Sequence, residues 1–315
     1  MISKDLQQAV EFLQAGECVA MPTETVYGLA ADATRADAVA KIFAIKNRPT
    51  FDPLIIHIPR IEDVLQVASS FPDLARKLAE KFWPGPLTLI LPKRVEIPDL
   101  VSSALPTVGI RVPRHPMAQE LLRRFGGPLA APSANRFGRI SPTTAEAVEK
   151  ELGNEVKLIL QGGSCEIGLE STIVGFDEGK ATILRLGGIS LEEIESVIGP
   201  VGLDNEPHAR PQAPGQIAQH YAPRKPLQLV NSVMDLNAFG GKDFGFLIWG
   251  DARVEGFPLT YNLSPSGDWN EAAANFFQML RALDESEVSH LVAMNLPEKG
   301  LARAINERLR RAAHT

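Results

Sequence analysis

Residues 18–30 read CVAMPTETVYGLA, and how this stretch is parsed decides the fold. Cys18, Val19, Ala20 and Met21 form an apolar run short enough for a buried strand, and Pro22, which has no N–H to give a ladder, stops it. Thr23, Glu24, Thr25 and Tyr27 follow at once, so hydroxyls and a phenol collect at a strand's carboxyl end. Open α/β sheets hold their ligands at that edge. A turn capped by Thr23 uses the same residues without any ligand.

Outward from this stretch, short apolar runs alternate with helical patterns. Leu6, Val10 and Leu13 share a face of a helix expected within residues 1–16, ended by Gly16. Val39, Ile42 and Phe43 mark a helix over 37–45. Strands are expected at 54–58, 87–91, 108–112, 129–131, 156–160, 171–176 and 182–186, and helices within 71–83 and at 117–125, 143–152 and 190–198. The last of these begins with Ser190 as N-cap and Glu193 at the capping-box position. From 199 to 226 Gly, Pro, His, Gln and Arg dominate and apolar periodicity vanishes, so this segment is a linker or a long ordered loop. Beyond it lies a smaller βα unit, with strands at 227–230, 244–249 and 290–295 and helices at 269–283 and 301–311. The expected organisation is α/β throughout: a unit over 1–200, a linker over 201–226 and a smaller Rossmann-like unit over 227–315.

At 315 residues the chain can bury two cores, and 44% hydrophobic against 22% charged residues suits a globular protein. The net charge of −6 disfavours a coat of sequence-independent nucleic-acid contacts, while leaving a local basic pocket possible. Two cysteines, Cys18 and Cys165, with no CxxC or His–Cys cluster, argue against a disulfide framework and structural zinc. No apolar block of signal-peptide or membrane-spanning type occurs, so a cytoplasmic location is expected.

GxxxxGK[ST], GxGxxG, HExxH and GxSxG are all absent. Four polar segments stand at strand ends instead. The first is Thr23 to Gly28. The second is Lys46-Asn47-Arg48-Pro49, two cations that favour a helix C-terminus and would equally suit a polyphosphate. In the third, Arg111 sits between Ile110 and Val112, where a buried guanidinium needs an anion or carboxylate, and His115 follows. The fourth runs from Ser133-Ala134-Asn135 to Thr143, small residues and side-chain donors before a helix whose amides attract anions. Glu170, Ser171, Arg185 and His57 add polar groups on neighbouring strands. Each segment alone has an ordinary structural explanation; together they describe an anion site with polar neighbours.

The spelling and order of these segments carry more. PTETVYGLA, KNRP with DPLIIHI, GPLTLIL, VGIRVPRHP, APSAN with SPT, STIV and ILRLG together resemble the YrdC-like threonylcarbamoyl-AMP synthases, over about residues 5 to 200. Ala213-Pro214-Gly215 and His220-Tyr221-Ala222-Pro223, with the unit beyond, resemble the two-domain form. The resemblance implies a twisted open mixed sheet with a basic concave cavity. It also implies a nucleotidyltransferase reaction in which L-threonine, bicarbonate and ATP, with Mg²⁺ on the nucleotide and no protein metal ligands, give L-threonylcarbamoyl-AMP and pyrophosphate. The adenylate then serves threonylcarbamoylation of the adenosine beside the anticodon, through a downstream transferase machinery and with tRNA only an indirect or weak partner. By matching motif, Lys46 and Arg48 correspond to the pair that holds the ATP phosphates and does the catalytic work. Ser133, Asn135, Thr143, Arg185 and Tyr221 match further nucleotide contacts. Thr23, His57, His115 and Ser171 match positions around threonine, and Arg111 lies between the two ligands. Asn47 stands where the family often has Gly, Arg185-Leu186-Gly187 where RPG is usual, and Ala213 where the linker usually begins with Ser. An RNA-binding module that grips a phosphate backbone is the alternative from another class; overall acidity and few aromatics count against it.

Overall fold

The computed structural model of the chain describes residues 1–204, 211–216, 220–236, 239, 243–253 and 259–313. Eleven strands build the first sheet: β1 (Ile2–Ser3), β2 (Val19–Met21), β3 (Gly28–Asp32), β4 (Ile55–His57), β5 (Leu87–Pro92), β6 (Thr107–Arg111), β7 (Leu129–Ala130), β8 (Leu158–Leu160), β9 (Thr172–Asp177), β10 (Lys180–Arg185) and β11 (Gly202–Leu203). Their order is β1-β8-β2-β3-β7-β4-β6-β5-β9-β10-β11, so the sheet is mixed. β4 and β6 run parallel with His57 opposite Arg111, whereas β2 and β3 form an antiparallel pair. Around them pack α1 (Leu6–Gln14), α2 (Ala36–Lys46), α3 (Asp73–Phe82), α4 (Asp99–Ser102), α5 (Pro116–Phe125), α6 (Ala145–Leu152) and α7 (Leu191–Ile198).

A second, smaller sheet holds β12 (Leu227–Val230), β13 (Phe244–Ile248), β14 (Thr260–Asn262) and β15 (His290–Met294), all parallel, in the order β12-β15-β13-β14. α8 (Val233–Leu236), α9 (Trp269–Glu285) and α10 (Ala302–Ala313) complete this unit.

Three expectations are corrected. The first residues are not all helical: Ile2–Ser3 pairs with β8, and α1 starts only after Asp5, whose carboxylate caps the Gln8 N–H. No strand is expected at 28–32 from the sequence, because Gly28, Ala30 and Ala31 are poor strand formers with no apolar alternation; in the buried centre of a sheet their small size is what lets neighbours close in. Thr143 does not open α6. Thr144 does, its side chain accepting from the Ala147 N–H. The capping box at Ser190 and Glu193 forms as expected.

One apolar cluster runs through both units, from Leu29, Ile56 and Val174 to Phe276, Phe277 and Leu291. The units also meet closely. Gly168, at φ +72°, faces α9 so tightly that a Cβ there would lie 2.4 Å from the Ala273 carbonyl. Ion pairs Arg281–Glu151 (2.7 Å) and Arg303–Glu192 (2.6 Å) bridge the same boundary.

Candidate active site

The loop between β2 and β3 is shaped by Thr23, whose hydroxyl donates to the Val26 carbonyl (2.6 Å) and accepts from the Thr25 and Val26 N–H groups. Across the loop, Arg111 at the end of β6 is held by three donations: to Glu24 Oε1 (2.5 Å), Thr25 Oγ1 (2.8 Å) and the Gly85 carbonyl (3.3 Å). The anion that a buried strand arginine requires is therefore Glu24. Burial works to raise the Glu24 carboxyl, but the charge and hydrogen bond of Arg111 outweigh it and hold it below its usual range.

α2 ends at Asn47, in the left-handed region (φ 52°, ψ 39°). Asn is among the few residues besides Gly that tolerate this conformation, which accounts for its standing at a position where Gly is common in the family resembled. The reversal turns Lys46 and Arg48 inward. Arg48 forks onto the Asp52 and Pro53 carbonyls (3.0 and 2.8 Å) and pairs with the Asp52 carboxylate at 2.8 Å. Lys46, 1% exposed, donates to the carbonyls of Ser133 (2.7 Å) and Asn135. Burial, with help from Arg48, pulls the Lys46 ammonium well below its ordinary value.

Ser133 bridges to Gly28, and the Asn135 amide donates to the Arg136 and Arg139 carbonyls while its Oδ1 is buried without a partner. On the opposite wall Arg185 donates to the carbonyl and hydroxyl of Ser171 (2.8 and 3.1 Å) and to the Pro214 carbonyl (3.2 Å). Among the described residues neither Lys46 nor Arg185 has a carboxylate within ion-pair distance. His57 is pushed down to about 3 by burial and by Arg111, so its ring is neutral near pH 7, with Nδ1 buried and unpartnered.

These groups surround one cavity. Thr23, Arg48, His57, Arg111, Ser133, Ser171, Arg185 and Tyr221 line it; Lys46 and Asn135 stand just behind the Ser133 turn; Thr143 and His115 do not reach it. His115 instead caps α5, accepting from the Met117 N–H, and its Nε2 meets the Gly162 carbonyl. The sequence reading assigned no individual role to Glu24, Thr25, Glu170 or His220, although Glu24 and Thr25 lie in the segment that marked Thr23 and Glu170 was counted among the neighbouring polar groups; Thr25, Glu170 and His220 line the cavity. Pro214, Gly215, His220 and Tyr221 bring the linker across the cavity mouth, leaving about 50 Å³ inside. That holds a few waters, far short of the roughly 300–1,000 Å³ of small-molecule pockets. Ala213 fills an apolar cluster with Ile55, Ile90, Ile173 and Leu184, so at this position the chain packs a methyl rather than offering a hydroxyl.

The family described as telomere recombination (Sua5, YciO and YrdC) matches residues 11–187, and the C-terminal domain of threonylcarbamoyl-AMP synthase matches 189–314. A threonylcarbamoyl-AMP synthase of Bacillus subtilis is 38% identical over 320 residues, covering 98% of this chain and 92% of the relative. A putative enzyme of the same name from Mycobacterium tuberculosis is 38% identical over 200 residues, which span 62% of this chain but 90% of the shorter relative. The crystal structure of Pyrococcus abyssi Sua5 complexed with L-threonine superposes with a TM-score of 0.91 at 36% identity, covering 98% of this chain and 94% of that one. The chain belongs to the YrdC-like threonylcarbamoyl-AMP synthase family, in its two-domain form.

Proposed function

We propose that this chain is an L-threonylcarbamoyladenylate synthase, joining L-threonine, bicarbonate and ATP into threonylcarbamoyl-AMP with release of pyrophosphate. The observation that carries this is a pair of buried basic side chains, Arg185 lining the cavity and Lys46 just behind its Ser133 wall, neither with a carboxylate within ion-pair distance among the described residues. Uncompensated buried charge is costly, and an anionic ligand relieves it. The polyphosphate of ATP lies against Arg48 and Arg185, and the Lys46 ammonium exchanges its carbonyl partners for phosphate oxygens. Ser133, Asn135 and Tyr221 frame the nucleoside, while Thr23, His57 and Ser171 hold threonine, with Arg111 between.

The threonine amine attacks CO₂ derived from bicarbonate, and the resulting carbamate attacks the α-phosphate as pyrophosphate departs. This makes the reaction a nucleotidyl transfer that needs no protein nucleophile, since positioning and fixed positive charge do the work. Mg²⁺ accompanies the nucleotide and offsets phosphate charge. The carboxylates Glu24, Asp52 and Glu170 are each engaged by a guanidinium, so the ion would come bound to the nucleotide rather than to these side chains. The linker opens to admit substrates and closes to keep water from the labile adenylate. The product passes to a downstream tRNA-modifying transferase. The alternative, a grip on an RNA backbone, finds no support in guanidiniums that are 4–7% exposed inside an enclosure.

Incubation with ATP, L-threonine and bicarbonate, omitting each in turn, tests the reading. Pyrophosphate should appear only with all three; release independent of threonine or bicarbonate would overturn it.

A further inference from the structure

Arg308 lies in α10 of the second unit, yet it is fully buried against the wall of the cavity built by the first. Its Nε and Nη2 both donate to Glu170 Oε2 at 3.3 Å, and Nη1 donates to Glu307 at 2.6 Å. The guanidinium also sits 5.4 Å from the centre of the Tyr221 ring, which packs on Phe277 of α9 at 5.5 Å. Glu170 and Tyr221 both line the cavity. Arg308 therefore touches the two cavity residues that differ most from the rest: a carboxylate among cations, and the aromatic ring of the closing linker.

The carboxylate poses the problem. Glu170 is 6% exposed, and its other oxygen accepts from Ser141 Oγ at 2.6 Å, a neutral donor that leaves its charge in place. An unscreened carboxylate at this depth repels a polyphosphate. Glu307 is shared with Arg311, so the four groups, Glu170, Glu307, Arg308 and Arg311, form a neutral set. Within these four groups, removing Arg308 leaves a net charge of −1 and takes from Glu170 the one guanidinium paired with it among the described residues, at the cavity wall.

We propose that Arg308 is a positioning residue for the nucleotide, by which the second unit neutralises Glu170 at the cavity wall and seats the Tyr221 ring over the bound ATP. The proposal rests on the ATP-dependent reading of the cavity. The test measures kcat and the KM for ATP and for threonine in wild type, Arg308→Met, Glu170→Gln and the double variant. Arg308→Met should raise the ATP KM at least tenfold while moving the threonine KM less than threefold. With Glu170→Gln already present, the same substitution should raise the ATP KM less than threefold. An equal increment in both backgrounds, or equal losses in kcat and both KM values, would overturn the proposal and leave Arg308 a packing residue. If Arg308→Met does not fold, Arg308→Lys is read by the same background dependence, because it keeps the charge but loses the fork. If the wild type makes no pyrophosphate from the three substrates, the reaction assignment fails. ATP affinity measured by calorimetry in the same four proteins then decides the proposal by the same criterion.

Discussion

Lys46 Nζ lies between the carbonyls of Ser133 and Asn135, so its loss removes a charge and strands two acceptors. Lys46→Ala should lower pyrophosphate formation by about 10²–10³, the range for one preorganised donor aimed at developing charge. It should also cost roughly 1–3 kcal/mol in stability from the unpaired groups. Steady-state kinetics and urea melts check both, and near-normal turnover would remove Lys46 from the catalytic set. His57 supports a different prediction. Its folded value is about 3 and its ordinary value 6.5, so on acidification the unfolded chain takes up the proton first. Stability is therefore complete above pH 6.5 and declines below it, by up to about 1.4 kcal/mol per pH unit until the folded value is reached. His220, also pulled well below its ordinary value by burial and by Arg48, adds in the same direction. Glu24, held low, begins to add only below its ordinary 4.5, and the Arg111 pair itself is lost only as the pH falls through the lower folded value. Thermal melts from pH 7 to 4.5 should show a steep decline in wild type and a shallower one in His57→Asn; parallel curves would contradict the assignment.

Among the elements, the hairpin of β9 and β10 sets one wall. It turns through Glu178 and Gly179, both at positive φ (46° and 77°), a conformation that matches the twist of paired strands. At its open end Gly187 lies against the start of β9, where a Cβ would stand 2.3 Å from the Glu170 carbonyl and 2.5 Å from the Thr172 nitrogen. The obstructing atoms are backbone and cannot rotate away. Gly187→Ala should thus move Glu170 and Ser171 together, costing about 1–3 kcal/mol or more of overpacking strain and raising both substrate KM values. A variant with unchanged melting temperature and unchanged KM values would show that β9 yields without consequence. The same strands explain what was legible. β5, β6 and β9 are apolar runs and read directly from the sequence, whereas β3 and the two-residue β1 and β11 carry no periodic signal and exist because a neighbouring strand pairs with them.

On the scale of the whole molecule, the second unit holds the linker in place. Asp284 of α9 accepts the Arg224 and Lys225 N–H groups (2.7 and 3.1 Å) through one oxygen and pairs with Arg139 of the first unit through the other (3.2 Å). Tyr221 and Ala222 lie just before this clamp, and Ala222 bridges to Arg139. Asp284→Ala should loosen the segment without touching the cavity itself. Trypsin should then cut after Arg224 at least tenfold faster (Pro226 protects the bond after Lys225), and the adenylate should be hydrolysed sooner. Unchanged cleavage would mean that apolar packing of Tyr221 on Phe277 suffices to hold the linker closed.

The sequence by itself determined the α/β class, the two units and the segment between them, and the strand-end segments from which most cavity residues come. Those features are local: apolar runs, turn residues and caps act within a few positions of one another. Tertiary structure alone decided that Arg111 answers Glu24, 87 residues away, and that Arg308 answers Glu170, 138 residues away. It also decided that Thr143 and His115 stand outside the cavity while Tyr221 closes it. Burial turns each of these into a requirement, because a charge taken out of water must meet a partner, and nothing in the local pattern states which distant segment will bring it.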